Sequence, residues 1–261
     1  MDDRKIALSS DEMGTVSITS SLTAGGIGRI GDKVPTAAEE VYDITDGTDY
    51  GQASQNISST NQLGWVSPDY NGLVVSVGYT ALDAAADSSW TLEYDASSLM
   101  DGLAVTLAYT PSDGTVEIES STSYAAAYTG IEGLTIGAGA GEDNGAAASI
   151  DVSTMYVKYA MDAFTVGYQA SEEDSETANA DQDFSAMGVS MAVTEELTIA
   201  LNSSSIDYES SSKSDQEALG ISASYTMGSM TFAFAHNTID NVAGTSTNDR
   251  SGYDLNLAFA F

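Results

Sequence analysis

Along most of this chain, apolar residues alternate with small or polar ones, and short turns interrupt the alternation at a nearly constant interval. Tight turns read at Gly14, Gly72, Gly102, Gly133, Ala163, Glu196 and Ser229, and the sequence ends at Phe261. The first interval spans 58 residues and the others 30–33. Between the tight turns lie longer polar connections, at 141–149, 171–182, 207–216 and 238–249. An interval of this size accommodates two strands of the ~9–11 residues that cross a bilayer when tilted. Short turns at one end and long loops at the other are the arrangement of an up-and-down β-barrel that spans a membrane.

The alternation defines about fifteen strands, from Ile6/Leu8 and Val16/Ile18 through Leu73/Val75/Val77/Tyr79 and Phe164/Val166/Tyr168 to the last ten residues. There, Tyr253, Leu255, Leu257, Phe259 and Phe261 share one face, and Asp254, Asn256, Ala258 and Ala260 share the other. A strand with one aromatic-aliphatic face and one small or polar face separates two solvents. Tyr79, Tyr94, Tyr109, Tyr128, Tyr159, Phe164, Tyr168 and Tyr225 keep to the apolar parity near strand ends, where barrels carry interfacial aromatic girdles. No apolar run approaches the ~18 residues of a membrane helix; in a barrel strand the apolar residues are diluted to every second position.

The formal charge of −32 excludes a nucleic-acid binder, whose footprint is basic. The absence of Cys excludes a disulfide scaffold and thiolate metal ligands. With 42% hydrophobic residues and 14 Tyr, the acidity belongs to a folded chain rather than a disordered one. The N-terminus, Met1-Asp2-Asp3-Arg4, lacks the apolar core of a signal peptide. If the tight turns are periplasmic, the first and last strands both descend. A closed barrel with an even strand count then requires an odd number of further strands before residue 4, giving 16 or 18 in all, with Gly252–Phe261 bordering the gap.

The long first interval contains residues 21–58, a Gly-containing acidic segment inserted into an otherwise regular meander. Its carboxylates are Asp32, Glu39, Glu40, Asp43, Asp46 and Asp49, and its cations Arg29 and Lys33. A loop this long within a compact barrel is functional or mobile. It reads either as a constriction folded into the pore, with carboxylates favouring cations, or as a solvated loop. Lys158 has mid-strand parity toward the water side, as do Glu117 and Glu119, which line the pore mouth or mark a polar strand end. The cluster Glu172-Glu173-Asp174-Glu176 with Asp181 and Asp183 offers oxygen ligands for Ca²⁺. It lacks EF-hand spacing, so a solvated acidic loop is preferred. No catalytic set is present: His236 is the single histidine and sits near a strand end without an evident partner.

Three stretches resemble the Gram-negative trimeric general porins. They are the hairpin Ala7–Ile18, the strand-turn-strand Asn61–Leu73, and the C-terminal strand Gly252–Phe261. The resemblance implies one barrel domain over 1–261 with residues 21–58 as its inward loop, and about three strands before residue 4. It also implies an outer-membrane location, a homotrimer in lipid, recognition of the last strand by the assembly machinery, and passive diffusion of small hydrophilic solutes and ions. In that family several basic wall residues face the acidic loop, whereas here Lys158 is the one mid-strand cation. The competing reading from another class is a secreted acidic surface-layer or adhesin β-solenoid, given a repeat near 31 residues. A solenoid would repeat its corner chemistry instead of alternating short turns with long loops.

Overall fold

A computed structural model describes residues 5–19, 25–41, 62–81, 86–111, 118–145 and 147–260. They form one antiparallel sheet of fifteen strands, each hydrogen-bonded to its sequence neighbours. The strands are Lys5–Ser10 (β1), Gly14–Thr19 (β2), Gln62–Val66 (β3), Leu73–Ala81 (β4) and Ala86–Asp95 (β5). Leu103–Thr110 (β6), Ile118–Ile131 (β7), Leu134–Gly145 (β8), Ile150–Met161 (β9) and Phe164–Ser175 (β10) follow. Gln182–Ala192 (β11), Leu197–Tyr208 (β12), Gln216–Met227 (β13), Met230–Asp240 (β14) and Arg250–Phe259 (β15) complete the sheet. The fold is a transmembrane β-barrel meander. Nearest-neighbour antiparallel pairing throughout does not favour the solenoid alternative.

Each alternating run of the sequence is a strand, and the tight turns fall where the glycines predict. Gly14 and Gly102 adopt φ of 78° and 75°, a left-handed conformation that a Cβ would strain. The strands reach further than the polarity pattern indicates. Thus β8 runs to Gly145, β10 to Ser175 and β12 to Tyr208, so connections read as 141–149, 171–182 and 207–216 shrink to a few residues. Backbone pairing continues above the apolar belt because polar side chains there face water on both sides of the sheet. Glu172, Glu173 and Asp174 are therefore strand residues, with Glu172 directly opposite Asp183.

One parity of every strand is apolar and faces outward. Leu219, Leu201, Leu255 and Met187 are 61%, 54%, 60% and 57% exposed, as a lipid-facing surface requires. The other parity is small or polar, and much of it is buried: Thr106, Ser123, Gln169, Asn202, Ser222 and Asn237 are all below 9% exposure. Within a lone sheet such residues would be wet. They are buried because residues 25–41 lie over them. Among the described residues β1 pairs only with β2 and β15 only with β14, so the last strand borders one edge of the sheet.

Candidate functional site: the inner strap

Residues 25–41 run across the inner face as a strap that meets every strand from β5 to β14. It begins with a 3-10 turn, Gly26–Arg29. The Gly26 N–H donates to Thr106 Oγ1 of β6 (2.9 Å), and the Ile27 N–H to Ser123 Oγ of β7 (3.1 Å). Arg29 forms an ion pair with Glu93 of β5. Ile27 and Ile30 pack with Ala125, Val152 and Tyr156, which brings in β7 and β9. The Lys33 N–H donates to Gln169 Oε1 of β10 (2.9 Å), and Asn202 Nδ2 of β12 to the Pro35 carbonyl (2.6 Å). The Ala37 N–H donates to Ser222 Oγ of β13 (3.1 Å), and Asn237 Nδ2 of β14 to the Val41 carbonyl. Val34 and Val41 enter a second apolar cluster with Phe184, Ala186, Ile206, Ala218 and Ile239.

An irregular segment lacks a ladder for its own N–H and C=O groups, so the wall must supply partners. Short hydroxyls and carboxamides at the inward parity do so, each at about half the length of its strand. The contact residues are neighbours in the ladder: Gly188 lies opposite Asn202, Asn202 opposite Gly220, and Gly220 opposite Asn237. Between the polar anchors, glycines leave room for the strap. A methyl at Gly220 would sit 2.7 Å from Val41 Cγ1, and one at Gly188 2.5 Å from Val34 Cγ1 and 2.8 Å from the Pro35 carbonyl oxygen. Gly167 likewise faces the Pro35 ring, and Gly139 faces Ile30. Each net hydrogen bond contributes about 1 kcal/mol, and each buried Ile or Val roughly 1.5–3 kcal/mol. The sum holds the strap to the wall.

The residues that sequence reasoning placed at the pore constriction, on the pore wall or in the assembly strand separate in the structure. Arg29, Asp32, Lys33, Glu39 and Glu40 lie on the strap, with Arg29, Asp32 and Glu39 exposed. Asp43, Asp46 and Asp49 fall outside the described residues, as do Glu117 and Phe261. Lys158 is on the inward parity of β9, half-buried, opposite Gly167. It lies close enough to Lys33 to act on it. Burial holds the Lys33 ammonium below its ordinary range, Lys158 and Arg29 push it further down, and Asp32 partly opposes them. Three of the seven Lys and Arg residues thus gather at the strap. The ladder slips by one residue across Glu119, a bulge that interrupts the alternation used to assign that residue a side.

On the outer face, Tyr253, Leu255, Leu257 and Phe259 of β15 are exposed, at 76%, 60%, 52% and 54%. His236 lies on this same outward parity, between Ile221 and Tyr253 in the ladder. Among the described residues, no group of three or more His, Asp or Glu side chains could hold a metal ion. Sequence reasoning did not single out Glu93, Gln169, Asn202, Ser222 or Asn237. In the sequence they look like other water-facing residues; only once the register is known do Asn202 and Asn237 stand out, each opposite a glycine on the neighbouring strand.

A family model described as Gram-negative porin matches residues 2–242. No curated protein sequence matches this chain. Among solved structures, a porin structure is 13% identical, covering 98% of this chain and 80% of its own, with a TM-score of 0.60. The anion-selective porin from Comamonas acidovorans is 11% identical, covering 98% and 77%, at 0.55. The outer-membrane expressed OmpT of Vibrio cholerae is 14% identical, covering 77% and 80%, at 0.56. At these identities the likeness is one of fold.

Proposed function

Because this chain belongs to the Gram-negative porin family and forms an outer-membrane β-barrel channel, we propose that residues 21–58 narrow its pore and that it passes small hydrophilic solutes with a preference for cations. One observation carries the reading: the strap crosses ten consecutive strands at mid-height, fastened by side chains of the inward parity. A water-filled barrel has no structural need for such a layer, and a fixed layer at mid-height sets the narrowest section. The tight turns face the periplasm and the longer loops the outside. Transport is passive; the pore performs no reaction.

The cation preference rests on the carboxylates of residues 21–58, Asp32, Glu39, Glu40, Asp43, Asp46 and Asp49, whose negative field attracts cations. Lys33 and Lys158 oppose that field locally, so the preference is moderate. The protein functions as a homotrimer in lipid, as its family resemblance implies, with the last strand serving as the assembly signal. Reversal potentials across planar bilayers under a potassium chloride gradient test the selectivity. A potential of the sign for potassium permeation is expected, and one of the opposite sign overturns the preference.

A further inference from the structure

On the tight-turn side of the strap, its first residues overhang a cavity of about 400 Å³ in the inner wall of β4–β7. The floor is Val74, Ala104, Ala125 and Ala127, all of inward register. Here Ala104 lies opposite Ala127, whereas inward alanines at this level elsewhere lie opposite polar residues, Ala160 opposite Thr165, Ala192 opposite Thr198 and Ala233 opposite Ser224. Ala125 packs under Ile27 and Ile30 of the strap, but among the described residues nothing covers Ala104, which faces the lumen and is exposed. A hydrophilic pore gains nothing from bare methyl groups unless a solute covers them.

The rim is charged. Arg29 and Glu93 pair at one side and neutralise each other. Asp69 and Asp95 stand at the other, and both carboxylates are fixed by turn hydrogen bonds. Asp69 Oδ1 accepts from the Gly72 N–H (2.5 Å), and Asp95 Oδ1 from the Ser97 N–H (2.9 Å). Each retains further lone pairs for a cation. The rim therefore has a negative surplus beside an apolar floor, within the ~300–1,000 Å³ that suits a small ligand.

We infer that this cavity is a subsite for small solutes that join an ammonium group to a compact apolar group, holding them briefly during passage. The ammonium meets Asp69 and Asp95, and the apolar group covers the alanines. The inference rests on the channel reading above, and binding must stay weak enough for the solute to leave. The test is single-channel recording in potassium chloride with n-butylammonium or ammonium chloride added. Butylammonium is expected to reduce the potassium current saturably, and ammonium at equal concentration to leave it unreduced. Ala104→Leu, which fills the floor, raises the half-blocking concentration tenfold or more. Thr198→Leu, on the inner wall of β12, shifts it less than twofold. Equal block by the two cations, or an unchanged half-blocking concentration in Ala104→Leu, overturns the subsite while the channel stands. Absence of any potassium conductance overturns the channel reading and the subsite with it.

Discussion

The two faces of β10 and β11 solve different problems with the same backbone. Outward, Phe164, Val166 and Tyr168 lie opposite Met191, Val189 and Met187. Any residue of similar hydrophobicity would satisfy that surface, because lipid adapts to its shape. Inward, Gly167 and Gln169 lie opposite Gly188 and Ala186, and each is matched to one atom or ring of the strap. The outer face is specified by class and the inner face residue by residue. Tolerance to substitution should therefore differ sharply between neighbours in one strand.

The largest contrast is expected at Gly188 and Val189. Gly188→Leu drives a side chain into Val34, Asn202 and the Pro35 carbonyl, costing at least the ~1–3 kcal/mol of overpacking. It should also lower single-channel conductance by pushing the strap into the lumen. Val189→Leu, on the outward parity, should stay within about 0.5 kcal/mol. Urea unfolding from lipid vesicles reads both; equal losses would remove the distinction between the faces.

A smaller effect is expected at Asn202. Asn202→Leu leaves the Pro35 carbonyl without its donor, a loss of about 1–3 kcal/mol for a buried unpaired group. Gly188→Leu displaces this same contact and adds a clash, so its loss should be the greater. The order of the two unfolding midpoints checks the account.

The smallest effect concerns charge. Burial and the neighbouring Lys158 and Arg29 disfavour the protonated form of Lys33, so its proton leaves below the ordinary lysine value of 10.5. As pH rises through that lowered value the pore loses a positive charge, and the ratio of potassium to chloride permeability should step upward. Lys33→Gln should abolish the step and hold the ratio at its high-pH level. A step that persists in Lys33→Gln would assign it to another group.

The strands were legible because lipid imposes a rule on every second residue. The alternation at Leu73/Val75/Val77/Tyr79 or Leu219/Ile221 needs no knowledge of the partner strand. The strap was legible as an interval of 58 among intervals near 31, which reveals an insertion without saying what it touches. Its anchors were not legible, since Asn202 and Asn237 look like any water-facing residue until residues separated from them by 167 and 196 positions arrive. The pairing of Arg29 with Glu93 was hidden for the same reason. Strand length was misjudged where polar residues such as Glu172 and Asp174 continue a ladder above the lipid. Glu119 could not be assigned from parity because a bulge has no signature in the pattern.

Cysteine chemistry offers the most direct test of the strap as the pore's narrowing element, because the chain contains no native Cys. Glu39→Cys places one thiol on the exposed side of the strap, and Leu255→Cys places one on the outer face. Each variant is reconstituted in planar bilayers and treated with a bulky, water-soluble thiol reagent during recording. The account predicts an abrupt fall in single-channel conductance, by about half or more by the geometry of a blocked constriction, for Glu39→Cys and no change for Leu255→Cys. Unchanged conductance after verified labelling of Glu39→Cys would contradict it.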